Sequence, residues 1–169
     1  KYQRIMKENE KSELLDLIFT YKSLGEKHIE GKVTLIGKAP HLGTDTWLNC
    51  IFAPLDEIRL NELEAKLGES IPFQYRSFLK DLSNGLDILL STLSLYGLRD
   101  NYIRTVDEVW QPYSLDLLNK QERPSNAEGN FFFFGSYNWD GSLLYLDRNT
   151  DKIHFCDRED ATSLYSWPS

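Results

Sequence analysis

The segment PLDEIRLNELEAKLGESIPFQYRSFLKDLSNGLD, residues 54–87, constrains the fold most, because it encodes two short helices that meet at a sharp corner. Gly68 fits the left-handed position that ends the first helix, and Pro72 suits the first position of the second. Asn84 and Gly85 end the second helix. The apolar residues recur at helical spacing in both: Leu60, Leu63 and Leu67, then Tyr75, Phe78, Leu79 and Leu82.

The first 53 residues give weaker signals. The opening KYQRIMKENEK predicts a solvated polar arm or a frayed turn. An amphipathic helix then follows from a Ser12 cap to Gly25, with apolar residues at helical spacing: Leu14, Leu17, Ile18, Tyr21 and Leu24. Residues 32–37 and 46–52 are rich in β-branched and aromatic types between turn signals, which predicts two strands.

The C-terminal third reads as an antiparallel meander. Phe131 to Phe134 predict a central strand covered on both faces, since alternate side chains point to opposite sides and all four are apolar. Asp140 and Gly141 offer a tight turn before the strand SLLYLD, and RNTD offers another before KIHFCD. Earlier, the apolar run Ile88 to Leu90 and the alternating SLYGL predict strand, and Ser114 with the following leucines predicts a helical turn.

Charge and cysteine content limit the partners and the compartment. The chain of 169 residues has 19 Lys and Arg against 26 Asp and Glu, a net charge of −7. A negative field repels phosphate backbones and anionic lipids, which argues against direct nucleic-acid binding and a polybasic membrane role. Cys50 and Cys156 lack framework spacing, so free thiols and a cytoplasmic location are expected. Asp16 interrupts the apolar run of residues 14–19, which excludes a spanning helix there.

The near misses to catalytic and metal motifs each lack a required residue. Gly31 to Lys38 has five residues between its glycines, where a phosphate loop has four. Residues 147–158 start like a calcium loop, but Lys152 replaces the required Gly and Arg158 the final Glu. His154 and Cys156 share a strand face without a guaranteed contact, and no histidine pair has zinc spacing. The expectation is therefore no enzyme activity, no catalytic residues, no metal and no cofactor.

Aromatic residues are the one conspicuous chemical excess, with seven between residues 131 and 145. Tyr137 and Trp139 precede the Asp140 turn, at a hairpin tip where burial is usually incomplete, so packing and binding are both open for them. Together with Asp140 they form the candidate partner-binding site. Asp100, Asp107 and Glu108 are alternative rim charges, for which a solvated loop is the competing interpretation.

The corner segment resembles the signature of the SUKH superfamily, which includes a fungal regulator of cell-wall glucan synthesis and many bacterial immunity proteins. The residues that carry the resemblance are Leu60, Leu63 with Glu64, Leu67 with Gly68, Ile71 with Pro72, Tyr75, Phe78 with Leu79, and Asn84 with Gly85. It continues through FFFFGSYNWDGSLLYLD and covers residues 54–169. The closing LYSWPS resembles the approach to a final family helix, which would come after Ser169. Residues 1–53 are expected to belong to the same domain.

The resemblance implies a single α+β domain, in which helices pack on a mostly antiparallel twisted sheet, and no catalysis. Bacterial relatives commonly bind and block a polymorphic toxin, often a nuclease, so we expect a cytoplasmic immunity protein that forms a heterodimer with its cognate toxin. Two alternatives remain open. One is an intracellular interaction or regulatory module like the fungal relative. The other is a small-ligand-binding domain with a pocket near Tyr96, Tyr137 and Trp139.

Overall fold

Nine antiparallel strands form a meander in the computed structural model, which describes residues 8–103, 105 and 109–168. Their order in the sheet follows their order in the chain, so each strand pairs with its sequence neighbours. The strands are β1 Glu26–Ile29, β2 Val33–Lys38, β3 Trp47–Phe52, β4 Leu86–Ile88, β5 Leu93–Leu95, β6 Phe131–Tyr137, β7 Ser142–Asp147, β8 Lys152–Cys156 and β9 Ser163–Pro168.

Four α-helices accompany this sheet in the described residues: α1 Glu8–Ile18, α2 Glu57–Leu67, α3 Phe73–Asp81 and α4 Leu115–Lys120. The α2–α3 corner lies where the sequence predicts it, but α3 begins one residue after Pro72 and ends at Asp81, before Asn84 and Gly85. The Asp56 carboxylate caps α2 by accepting a hydrogen bond from the Arg59 N–H at 2.8 Å, and Gly68 ends the helix at φ 77°. The sheet and its helices confirm the predicted α+β class.

The main core lies between the α2–α3 corner and the middle of the sheet. Phe132 and Phe133 are fully buried on opposite faces of β6, which confirms the strand predicted to be covered on both sides. The Tyr75 ring of α3 lies 5.0 Å from Phe134, and its hydroxyl donates to the main-chain carbonyls of Tyr96 and Phe134. One helical side chain thus joins the helix to β6 and to the residue that follows β5.

Asn84 and Gly85 connect α3 to β4. The Asn84 side chain acts like a strand edge: its Nδ2 donates to the Leu98 carbonyl at 2.9 Å, and its Oδ1 accepts from the Leu98 N–H at 2.7 Å. Gly85 has φ 97°, and a Cβ there would lie 2.6 Å from the Leu95 carbonyl oxygen. A side chain at position 85 is therefore excluded by both conformation and space.

Four elements differ from the sequence predictions. One is β9, which pairs with β8 where the closing LYSWPS was expected to lead to a helix. Helix α1 starts at Glu8, inside the predicted polar arm, and a 3-10 helix at residues 19–24 replaces its expected last turns. Strand β1 was not predicted, because its sequence EKHI has too few apolar residues. Leu89 and Leu90 form a turn after β4 where the apolar run predicted strand. These differences arise because strand pairing and packing against residues distant in sequence outweigh the local signals.

Candidate partner-binding surface

Four turns gather at one end of the sheet, because alternate connections of an antiparallel meander lie on the same side. They span residues 39–46, 89–92, 138–141 and 157–162, and we call this surface the hairpin end. The second and third turns are joined where the Asn138 N–H donates to the Thr92 carbonyl at 2.8 Å. The third and fourth also meet, since a Cβ at Gly141 would lie 3.7 Å from Cδ of Arg158.

The hairpin end is acidic. Its turns contain five carboxylates, Asp45, Asp140, Asp157, Glu159 and Asp160, against the single cation Arg158. Arg158 is itself directed toward Glu122, with 3.3 Å between Nη2 and Oε2. The Ser142 N–H lowers the pKa of Asp140, and hydrogen bonds from Thr162 lower that of Asp160, so both are ionised at neutral pH. A cationic partner is favoured here.

Large apolar side chains project from the same turns. Trp139 is 84% exposed at the tip between β6 and β7, while Leu89 and Leu90 are 42% and 46% exposed at the tip between β4 and β5. Leu42 in the first turn is also exposed. Exposed apolar side chains surrounded by charge are characteristic of protein interfaces, where a few large anchors supply most of the binding free energy.

The turn between β4 and β5 is strained. Leu89, Leu90 and Ser91 have φ values of 49°, 59° and 61°, three consecutive residues in the left-handed region. For residues other than glycine this conformation costs on the order of 1–2 kcal/mol each. Neighbouring groups hold it: the Leu89 N–H donates to Oδ1 of Asn49 at 2.9 Å, and the Leu90 N–H donates to the Leu48 carbonyl at 2.9 Å.

A chain of polar contacts connects the second and third turns to β6 and to Tyr96. The Tyr96 hydroxyl lies 3.1 Å from the Ser136 hydroxyl, which in turn contacts Oδ1 of Asn138 at 2.8 Å. Nδ2 of Asn138 then donates to the Ser91 carbonyl. Asn138 therefore ties the strained turn to the tip that carries Trp139, and the two tips are held in one arrangement before any partner binds.

The predicted site residues Tyr137, Trp139 and Asp140 lie together at or beside this end. Tyr137 is half-buried, with its ring 5.9 Å from Phe155, so it packs against β8. Trp139 projects into solvent. Oδ1 of Asp140 accepts from the Ser142 N–H at 2.9 Å, which shapes the turn.

Of the alternative rim charges, Asp100 is separate from the hairpin end. Asp100 pairs with Arg59 of α2, and its N–H donates to Oε1 of Gln111 at 2.9 Å, so it serves to hold a loop against the helix. Asp107 and Glu108 lie outside the described residues. Sequence reasoning missed Leu89 and Leu90, because an apolar run before a polar pair gives no sign of a left-handed turn.

A cleft of about 480 Å³ adjoins the surface beside Asn138. Tyr96 and Tyr113 stack in its wall with ring centroids 5.2 Å apart, and the Arg99 guanidinium lies 5.0 Å from the Tyr102 ring. The predicted pocket near Tyr96 therefore has a counterpart. Of the described residues, Tyr137 and Trp139 are not part of its lining.

The three groups considered for nucleophilic chemistry lie in strands of the sheet: Cys50 in β3, and His154 and Cys156 in β8. Burial raises the pKa of both the Cys50 and the Cys156 thiol to about 12, so neither is a thiolate at neutral pH. His154 stacks on Tyr145 with ring centroids 4.7 Å apart, and its Nδ1 contacts the Ser163 hydroxyl at 2.7 Å.

Among residues 8–103, 105 and 109–168, no cluster of His, Cys, Asp and Glu could hold a metal ion. No helix in those ranges is long and apolar enough to cross a bilayer.

Comparison with protein families gives one match. The model described as the SMI1 / KNR4 family (SUKH-1) matches residues 54–169, more than half of the chain. The matched segment begins just before α2 and includes the α2–α3 corner, β4 to β9 and three of the four turns of the hairpin end. Comparison with curated proteins and with solved structures found no match.

Proposed function

The chain belongs to the SMI1/KNR4 (SUKH-1) family, and from this premise we propose that it is a non-catalytic immunity protein that binds and neutralises a cognate bacterial toxin. The hairpin end is the observation that carries the proposal. It combines exposed apolar anchors with five carboxylates, and its second and third turns are hydrogen-bonded to each other. In this proposal the protein acts in the cytoplasm of the producing cell and occupies the toxin's surface without breaking a bond.

The proposal favours a toxin with a basic face, such as a nuclease. An enzyme that binds a phosphate backbone presents Lys and Arg around its active site. An acidic surface accelerates the encounter with such a face and, once docked, excludes the nucleic acid. Trp139, Leu89 and Leu90 would then supply the apolar contacts that slow dissociation.

The decisive test is co-expression with a catalytically inactive form of the toxin encoded beside this gene. We expect the two chains to copurify as a heterodimer and the immunity protein to restore growth of cells that express the active toxin. Size-exclusion chromatography with light scattering measures the complex, and colony counts measure protection. If neither copurification nor protection is observed, the immunity function is wrong.

The tyrosine cleft favours a second candidate function, the binding of a small ligand. Stacked Tyr96 and Tyr113 beside an arginine-bearing wall suit a planar molecule. A free nucleotide at 1 mM is a suitable probe, because a ligand at 100 times its dissociation constant stabilises the fold by about 2.7 kcal/mol. A melting temperature that does not change with any of the common nucleotides would exclude this ligand class.

A further inference from the structure

We propose that the strained turn Leu89–Ser91 is a rigid anchor, whose two leucines enter an apolar depression on the basic partner. This inference rests on the proposed function, since it names the part of the hairpin end that supplies the binding free energy. The three residues have positive φ values, and both leucine side chains are almost half exposed.

Two independent features of the turn oppose folding stability. Glycine is the residue that suits positive φ, yet positions 89 to 91 carry two leucines and a serine. Polar side chains suit an exposed tip, yet the two leucines project at 42% and 46% exposure. Strained backbone of this kind persists where the surroundings enforce it, and it clusters at functional sites. Binding is the function that an exposed apolar pair can perform.

The turn is fixed from both sides. On the β3 side, Oδ1 of buried Asn49 accepts from the Leu89 N–H, and Nδ2 of the same side chain donates to the Ile18 carbonyl at 2.7 Å. On the β6 side, Asn138 donates to the carbonyls of Ser91 and Thr92. A turn already held in its bound shape loses little conformational freedom on docking, which raises affinity.

Charge identifies the partner. Residues 89–92 carry no charge, whereas the neighbouring turns contain Asp140 on one side and Asp45 on the other. The complementary surface is an apolar depression wide enough for two aliphatic side chains and rimmed by Lys or Arg. Such a depression beside a toxin's active site would be filled by the leucines while the acids pair with its rim.

The test compares Leu90→Gly with Leu90→Ala, because both remove the leucine side chain beyond Cβ and only glycine relieves the strain of the positive φ. We expect Leu90→Gly to melt about 2 °C or more above Leu90→Ala, the reverse of the order at an ordinary position. Both variants should weaken binding to the inactive neighbouring toxin by at least about tenfold. Differential scanning fluorimetry and isothermal titration calorimetry measure the two effects.

Ile58→Ala is the matched control, since Ile58 is 70% exposed on α2 at the opposite end of the sheet and should leave affinity within twofold. If both Leu90 variants bind as tightly as the wild-type protein, the turn is not an anchor, and the proposed immunity function is unaffected. If the melting temperature of Leu90→Gly is equal to or below that of Leu90→Ala, the turn is not strained at position 90. A wild-type protein that binds no toxin contradicts the proposed function itself.

Discussion

The two ends of the sheet differ in the residue types that have positive φ values. At the end formed by α2, α3 and the α3–β4 loop, the helical end, positive φ values fall on glycines, Gly68 at 77° and Gly85 at 97°. At the hairpin end Gly43 and Gly141 also have positive φ values, but so do four residues that carry side chains: Leu89, Leu90, Ser91 and Ala161. The helical end has glycine at these positions, the residue that costs least, whereas the hairpin end retains strain in the turn that carries Leu89 and Leu90. Such a difference is typical of a molecule in which one end maintains the fold and the other binds.

Charge follows the same division. At the helical end cations and anions alternate: Arg76 lies 2.8 Å from Glu57 and 3.4 Å from Glu64, and Lys80 also contacts Glu57. At the hairpin end carboxylates outnumber cations five to one. Glu57 and Glu64 are therefore neutralised within the fold, whereas the one cation of the hairpin-end turns, Arg158, is directed to Glu122 outside them. Variants at each end should separate stability from binding.

Asn84→Ala should cause the largest loss of stability. It removes two hydrogen bonds and leaves the buried N–H and carbonyl of Leu98 without these partners, which costs about 2–4 kcal/mol. Urea denaturation followed by circular dichroism measures the loss. Asn61→Ala is the control, because Asn61 is exposed and should change stability by less than about 0.5 kcal/mol. A small effect of Asn84→Ala would remove the main support for the helical end as the stabilising region.

Trp139→Ala should have the largest effect on binding and almost none on stability. An exposed tryptophan contributes little to folding but is the commonest type of interface anchor, so we expect affinity to fall roughly 30-fold, about 2 kcal/mol. Calorimetry with the inactive toxin and a melting curve of the free protein measure the two quantities. A melting temperature that drops by more than about 4 °C would place the tryptophan in the folded core and break the contrast between the ends.

Tyr75→Phe should cost about 1–2 kcal/mol of stability and leave binding unchanged. The ring stays stacked on Phe78 at 5.3 Å, while the carbonyls of Tyr96 and Phe134 lose their shared donor. Because Tyr96 also begins the polar chain to Asn138, this variant tests whether the ends are coupled. A tenfold loss of toxin affinity would show that the helical end and the hairpin end are coupled.

The helical end was predictable from sequence and the hairpin end only in part. Gly68, Pro72 and the leucine spacing of α2 act locally, so the corner could be predicted. The Asp140–Gly141 turn also has a local signal, which led to Trp139. The φ values of Leu89 and Leu90 have none, because distant Asn49 and Asn138 impose them. Local sequence signals therefore predicted the tip that carries Trp139 and missed the tip that carries Leu89 and Leu90.

Replacing Asp140 and Asp160 together by Asn should slow association with the toxin a few-fold. Asn keeps the oxygen that accepts from the N–H of Ser142 or Thr162, so the turns survive while two charges are lost. Stopped-flow measurements at low and at high salt should show the difference shrinking as salt screens the surface. Glu62→Gln with Asp81→Asn removes two charges at the helical end. An equal slowing by this second pair would indicate a general effect of net charge.

The smallest expected effect is the pH dependence of the Glu57 contacts. Hydrogen bonds from Arg76 and then Lys80 lower the pKa of the Glu57 carboxyl to about 2. Because this pKa lies below the ordinary value of 4.5, the contacts contribute stability above that value and lose it as the pH falls toward 2. Glu57→Gln should therefore lower the urea midpoint slightly at pH 6, by an amount that shrinks as the pH is lowered toward 3. Glu57 is exposed, so salt should also reduce the difference. A gap that is independent of pH would mean that packing of the side chain, and not its charge, joins α2 to α3.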